Sequence, residues 1–318
     1  MAKIIIGIHG LGNKPPEDIL SAWWKLAIAE GLRDRALAVP DFEFKLLYWA
    51  DILHPEPMDL NDIANKSRLY VPEVYPPIQP PPHLPPMDFR KKAVDYLARY
   101  YEKIWAEGLL PLNKPAITDL FIHLHLKDLK AYYSPDLVNH SDLPRLTRDV
   151  ISERVLAALR LYRDKDIMVI AHSMGSLILH DALMTSGNEV RIDTLVTIGS
   201  PLAQNYVISR MQAESIEIAT DKLAVPNNII SKWLNLSDLE DQIAINYRLG
   251  KFYKPNEKGV SVEDIIVQNI YVSNGIINPH SSFGYLRTRE MAEALHTFLT
   301  YKKPGFFMRL WNKIWTHR

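Results

Sequence analysis

The chain contains no cysteine. Disulfides, thiolate metal sites and a cysteine nucleophile are thereby excluded, although the absence fixes no compartment. The chain also lacks net charge, with 37 Lys and Arg against 37 Asp and Glu. No basic field exists to recruit nucleic acid and no acidic field to recruit cations. No apolar run approaches the length that spans a bilayer. The first apolar run starts at Lys3, without the charged region and longer apolar stretch of a secretory signal. The expectation is a soluble, cytoplasmic protein. What is present is apolar material, 47 % of 318 residues, enough to bury a sizeable core. That length permits two domains, but α/β chains of this size are often one domain with an insertion.

The order of the segments points to an α/β fold. Lys3–Ile8 reads as a short buried strand and is followed at once by His9-Gly10-Leu11-Gly12. Residues Asp18 to Arg35 keep helical spacing through Ile19, Ala22, Trp23, Leu26 and Ala27, and Phe42 to Trp49 reads as the next strand. The character changes at Asp51. Ten prolines lie between His54 and Pro86, which requires extended or irregular chain there. Phe89 to Trp105 is helical by pattern, with Val94, Leu97, Tyr101, Ile104 and Trp105 on one side. Arg145 to Tyr162 predicts a helix, and Ile167–Ala171, Thr194–Ile198, Ile229–Leu236 and Ile265–Val272 predict strands. A last helix is expected from about Gly284 to Tyr301. Strands alternating with helices imply a mostly parallel sheet with helices on both faces. The expected core is 1–50 with 146–301, the insertion is 51–145, and 302–318 is a tail.

One turn carries chemistry. Ala171-His172-Ser173-Met174-Gly175 lies where an apolar strand passes directly into a helix. Small residues two before and two after the serine allow a sharp elbow, which lifts the hydroxyl off the sheet beside its neighbour's N–H. The glycine-rich turn after the first strand can likewise turn backbone N–H groups toward a substrate oxygen. Together these motifs make the chain resemble a serine hydrolase of the α/β-hydrolase superfamily, near its lipase and esterase branch. The resemblance covers the two motifs and the strand–helix order, and leaves out the insertion. It implies Ser173 as nucleophile and the backbone N–H groups of Leu11 and Met174 as oxyanion donors. The turn Gly199-Ser200-Pro201-Leu202 also has a lipase-like form.

A serine hydroxyl needs a general base, and the base needs an acid to orient it. In the superfamily the chain order is nucleophile, acid, histidine. His280, His296 and His317 lie well beyond the serine's helix. His296 falls inside the last helix and His317 at the terminus. His280, in the turn-rich Asn278-Pro-His-Ser-Ser, is the expected base. Three acids follow the strand that ends near Leu236: Asp238, Glu240 and Asp241. The family's acid is often followed two residues on by an aliphatic residue that packs back into the core. Asp241, with Ile243 and Ala244 after it, fits that pattern, and Asp238 is the alternative acid.

The resemblance implies hydrolysis of a carboxylic ester through an acyl-enzyme on Ser173, with no cofactor. The aromatic and aliphatic insertion is expected to form a lid over the site, which suits a small-molecule acyl ester or lipid substrate. A thioesterase or amidase with the same triad is an alternative, as is a non-catalytic binding protein on this scaffold. Other features have plainer readings. His123 and His125 alternate as metal ligands on a strand would, but no third ligand falls at a recognisable spacing. Gly10-Leu11-Gly12 lacks the third glycine of a dinucleotide fingerprint, since Pro15 stands there. His172 reads as an elbow packing residue. The tail places Phe306, Phe307, Leu310, Trp311, Ile314 and Trp315 on one helical face and Arg309, Asn312 and Lys313 on the other. Such a helix can make weak membrane-surface contact. Docking on the protein's own core is the favoured expectation.

Overall fold

Two segments have continuous apolar runs behind a polar first residue, without the alternation of a half-exposed strand, and both become central strands of one sheet. These are β1 (Lys3–Ile8) and β5 (Asp166–His172). The computed structural model describes residues 2–38, 40–59, 75, 129, 131–135, 137–140, 143–187, 189–214, 222–244, 246–273 and 276–301. The other elements are α1 (Glu17–Asp34), β2 (Glu43–Leu47), α2 (Ala50–Leu53), β3 (Leu137–His140), β4 (Leu143–Leu146) and α3 (Thr147–Leu161). After β5 come α4 (Met174–Thr185), β6 (Ile192–Ile198), α5 (Asn205–Glu214), β7 (Leu223–Ala224), β8 (Ile229–Asp238) and β9 (Tyr253–Lys254). The chain continues through β10 (Val262–Val267), β11 (Val272–Ser273), β12 (Ile276–Ile277), α6 (Ser282–Leu286) and α7 (Arg289–Thr300).

Six strands form a parallel sheet in the order β10-β8-β6-β5-β1-β2. The fold is α/β. The edge strands carry the charges that discourage pairing with another chain: Glu43 and Lys45 on β2, Glu263 and Asp264 on β10. Alternate residues of the central strands face opposite layers. Ile4, Ile6 and Ile8 join Ile167, Val169 and Ala171 beneath α3 and α4. Ile5, Met168 and Ile170 join Val196 and Ile198 beneath α1 and α7. The chain leaves β1 toward β2, then returns to the other side of β1 with β5 and continues outward. That reversal opens a crevice beyond the carboxyl ends of β1 and β5, the place where open α/β sheets bind ligands. The loop after Ile8 and the turn after His172 both end there.

Several expected boundaries shift for local reasons. Helix α1 is displaced by one residue at each end. The helix expected from Arg145 begins at Thr147, because Leu143–Leu146 pairs antiparallel with Leu137–His140. The strand expected to reach Val272 stops at Val267. There the Asn269 N–H donates to Asp238 Oδ2 (2.6 Å) and the Asn269 amide oxygen accepts the Tyr271 N–H (3.2 Å), a side-chain-made turn that ends the ladder. The last helix is two helices, since Thr288 caps α7 by accepting the Met291 N–H. The expected lid residues Val94, Leu97, Tyr101, Ile104 and Trp105 lie outside the described residues. So do His123, His125 and the tail 302–318. Among the described residues no helix is long and apolar enough to cross a membrane.

Candidate active site

Ser173 lies between the last residue of β5 and the first of α4, with φ 53° and ψ −128°. A non-glycine residue rarely adopts this conformation, and the surrounding contacts hold it there. Its N–H donates to the Ile198 carbonyl of β6 (3.0 Å), and its own carbonyl accepts the Ser176 N–H (3.0 Å) and the Ser176 hydroxyl (2.6 Å). Helix α4 packs so tightly on the β1 end that a Cβ at Gly175 would stand 2.6 Å from the His9 carbonyl oxygen. No larger residue fits at that step of the elbow.

The structure brings Ser173, His280 and Asp241 together from three separate loops. His280 Nε2 lies 3.0 Å from Ser173 Oγ. His280 Nδ1 lies 2.9 Å from both carboxylate oxygens of Asp241. A carboxylate only accepts, so Nδ1 carries the ring proton and Nε2 is free to accept from the serine hydroxyl. Ser173 and Asp241 are each 1 % exposed, while a quarter of the His280 side chain meets solvent. The pair rests on the turn after β6. Gly199, at φ 54°, lies so close that a Cβ there would stand 2.9 Å from Asp241 Oδ2 and 3.0 Å from His280 Nδ1. Ser200 ties this turn to the elbow through a 2.7 Å hydroxyl–hydroxyl bond to Ser176.

The two acids of the loop after β8 have different surroundings. Asp241 Oδ1 accepts the N–H groups of Ile243 (2.9 Å) and Ala244 (3.4 Å), both residues of which are buried. That is the physical content of an aspartate followed by an aliphatic residue: the backbone folds back over the carboxylate and leaves its other side to the histidine. Asp238 Oδ1 accepts the Glu240 N–H (2.7 Å) and Oδ2 accepts the Asn269 N–H (2.6 Å). The carboxylate of Asp238 thus braces backbone, and the carboxylate within hydrogen-bond reach of His280 is that of Asp241.

The loop after β1 lies against the elbow. A Cβ at Gly10 would stand 2.8 Å from Ser173 Cβ. His9 holds this loop by stacking on Trp49 at 4.9 Å and 12°. Its Nδ1–H donates to the Gly10 carbonyl (2.8 Å) and its Nε2 accepts the Trp49 N–H (3.1 Å). Lys14 Nζ donates to the Leu11 carbonyl. The Met174 N–H opens α4, so it has no acceptor within the helix, and the helix dipole adds positive potential there.

Two residues that sequence reasoning did not place in the site meet it directly. His172 Nε2–H donates to the His280 carbonyl (2.8 Å), and the two rings lie 4.8 Å apart. Burial, then the neighbouring His280, hold its pKa well below the usual histidine value, so it stays neutral. The second is Tyr285, whose hydroxyl donates to Asp241 Oδ2 at 2.7 Å. The sequence offered no signal for it beyond an aromatic residue in an apolar helix. No protein-family model matches the sequence, and no curated protein matches it.

Proposed function

We propose that the chain is a serine hydrolase of the α/β-hydrolase superfamily that cleaves a carboxylic ester through an acyl-enzyme on Ser173. The observation that carries this reading is the continuous hydrogen-bond path from Asp241 through His280 to a serine hydroxyl on a strained strand-to-helix elbow. Ser173 Oγ attacks the acyl carbon, and its proton passes to His280 Nε2. Asp241 fixes the ring with its proton on Nδ1 and stabilises the imidazolium that forms. The oxyanion sits between the backbone N–H groups of Leu11 and Met174. Collapse of the intermediate expels the alkoxide, which takes the proton from His280 Nε2. Water then attacks the acyl-enzyme by the same route and releases the acid.

The electrostatic setting supports these roles. His172, neutral and anchored to the His280 carbonyl, adds no charge that competes with the imidazolium. The test is hydrolysis of nitrophenyl esters of increasing acyl length by the full chain and by Ser173→Ala. The native chain is expected to turn over at least one of them, and the variant to lose about a millionfold. Equal rates in the two folded proteins would remove the reading. The chain-length profile of the native protein also reports whether long, lipid-like acyl groups are accepted.

A further inference from the structure

We propose that Tyr285 is a positioning residue that forms a fourth link in the hydrogen-bond chain ending at Ser173 and moderates the hold of Asp241 on His280. Its purpose rests on the hydrolase reading above, but the bond itself can be observed without turnover. Tyr285 is fully buried in α6, five residues after His280. Its hydroxyl oxygen accepts the Asp238 N–H at 2.9 Å. The single phenol proton is therefore left for Asp241 Oδ2, at 2.7 Å. Burial first, and the Asp241 charge second, push the phenol pKa well above its usual value, so the group remains a donor throughout the working pH range.

The consequence follows from sharing. Asp241 Oδ2 accepts from both Tyr285 and His280 Nδ1. Each donor disperses part of the carboxylate charge. Tyr285 therefore both secures the carboxylate and weakens its attraction for the imidazolium. It also joins two chain segments, because one hydroxyl binds the backbone of Asp238 at the end of β8 and the side chain of Asp241 three residues later. A buried tyrosine that merely satisfies its own hydroxyl would have the packing role without the electrostatic one.

The two roles separate in a titration. Among the described residues, the groups facing the His280 ring include Ser173, Asp241 and the neutral ring of His172, with the Lys14 ammonium among the charges acting on His172. In full-length protein carrying 15N-histidine, the His280 ring resonances are followed against pH for the native chain, Tyr285→Phe and a chain with 3-fluorotyrosine at 285. Loss of the donor concentrates the Asp241 charge on His280, so in Tyr285→Phe the midpoint should rise by about 0.5–1 pH unit. The stronger fluorophenol donor should lower it. If Tyr285→Phe does not fold, the fluorotyrosine protein, which keeps ring and hydroxyl, decides alone. Midpoints that do not move would overturn the proposal even if stability fell. Labelling of Ser173 by a fluorophosphonate, run on the same samples, reads the other claim. Shifted midpoints in a protein whose Ser173 never reacts would leave the Tyr285 link standing and remove the hydrolase reading.

Discussion

Helix α4 carries a buried polar cluster at its N-terminal end and another further along, and each contains an aspartate, a histidine and tyrosine. At the first, the hydrogen bonds run in a line from Tyr285 through the acceptor Asp241 and through His280 to the hydroxyl of the buried Ser173. At the second, donors from three side chains converge on one carboxylate. Asp181 Oδ2 meets Arg148 Nε at 3.0 Å and accepts from the hydroxyls of Tyr132 and Tyr133 at 3.1 and 3.2 Å. The Arg210 guanidinium lies 3.7 Å over the Tyr133 ring and covers this cluster. Its histidine, His180, stands outside the network with its ring against the edge of Tyr253, and neither ring nitrogen has a partner among the described residues. Burial of titratable groups is common to both. The direction of the hydrogen bonds differs: a line can move a proton, whereas a converging set only neutralises a charge.

Substitution of the two aspartates should break the comparison most sharply. Asp241→Asn removes the acceptor that fixes the His280 tautomer and should lower ester hydrolysis by about ten-thousandfold. Asp238→Asn keeps an amide oxygen for one backbone N–H and should cost about tenfold or less. Steady-state rates on one nitrophenyl ester rank the two, and the reverse order would exchange their roles. Asp181→Asn should leave hydrolysis unchanged. It should instead destabilise the fold by about 3 kcal/mol, because Arg148 and two phenols lose a buried anion, as read by urea unfolding. A large loss of rate in a stable Asp181→Asn protein would join the two clusters functionally.

An effect of similar size concerns acid. Burial, then the Arg148 charge, lower the pKa of His180 from 6.5 to about 4. The unfolded chain therefore binds a proton below pH 6.5 that the folded chain refuses until about pH 4. Stability contributed by neutral His180 is complete above 6.5 and is lost as pH falls through that window, by about 3 kcal/mol in all. Unfolding midpoints between pH 7 and 4 should fall less steeply in His180→Phe than in the native protein. Parallel slopes would show that this imidazole is not held neutral.

The sequence made the central strands legible because β1 and β5 are buried on both faces and leave no polar alternation to confuse them. Ser173, His280 and Asp241 were singled out by an elbow motif, by chain order and by the spacing to Ile243, and the three side chains do meet in space. The end of β10 was misplaced because the stop is an Asn269 side chain bonding backbone, which no apolar pattern records. The break before α7 was missed for a similar reason, a Thr288 cap inside a continuous helical pattern. Tyr285 was invisible for want of any local rule: its partner is 44 residues away, and in sequence it reads as core.

We propose that the line of bonds at the head of α4 makes one hydroxyl nucleophilic. Incubation of the full chain with a fluorophosphonate, followed by mass mapping of the adduct, tests it most directly. The expected result is a single adduct on Ser173, lost in Ser173→Ala and slowed strongly in Asp241→Asn. An unlabelled native protein, or an adduct equally distributed over other serines, would contradict it.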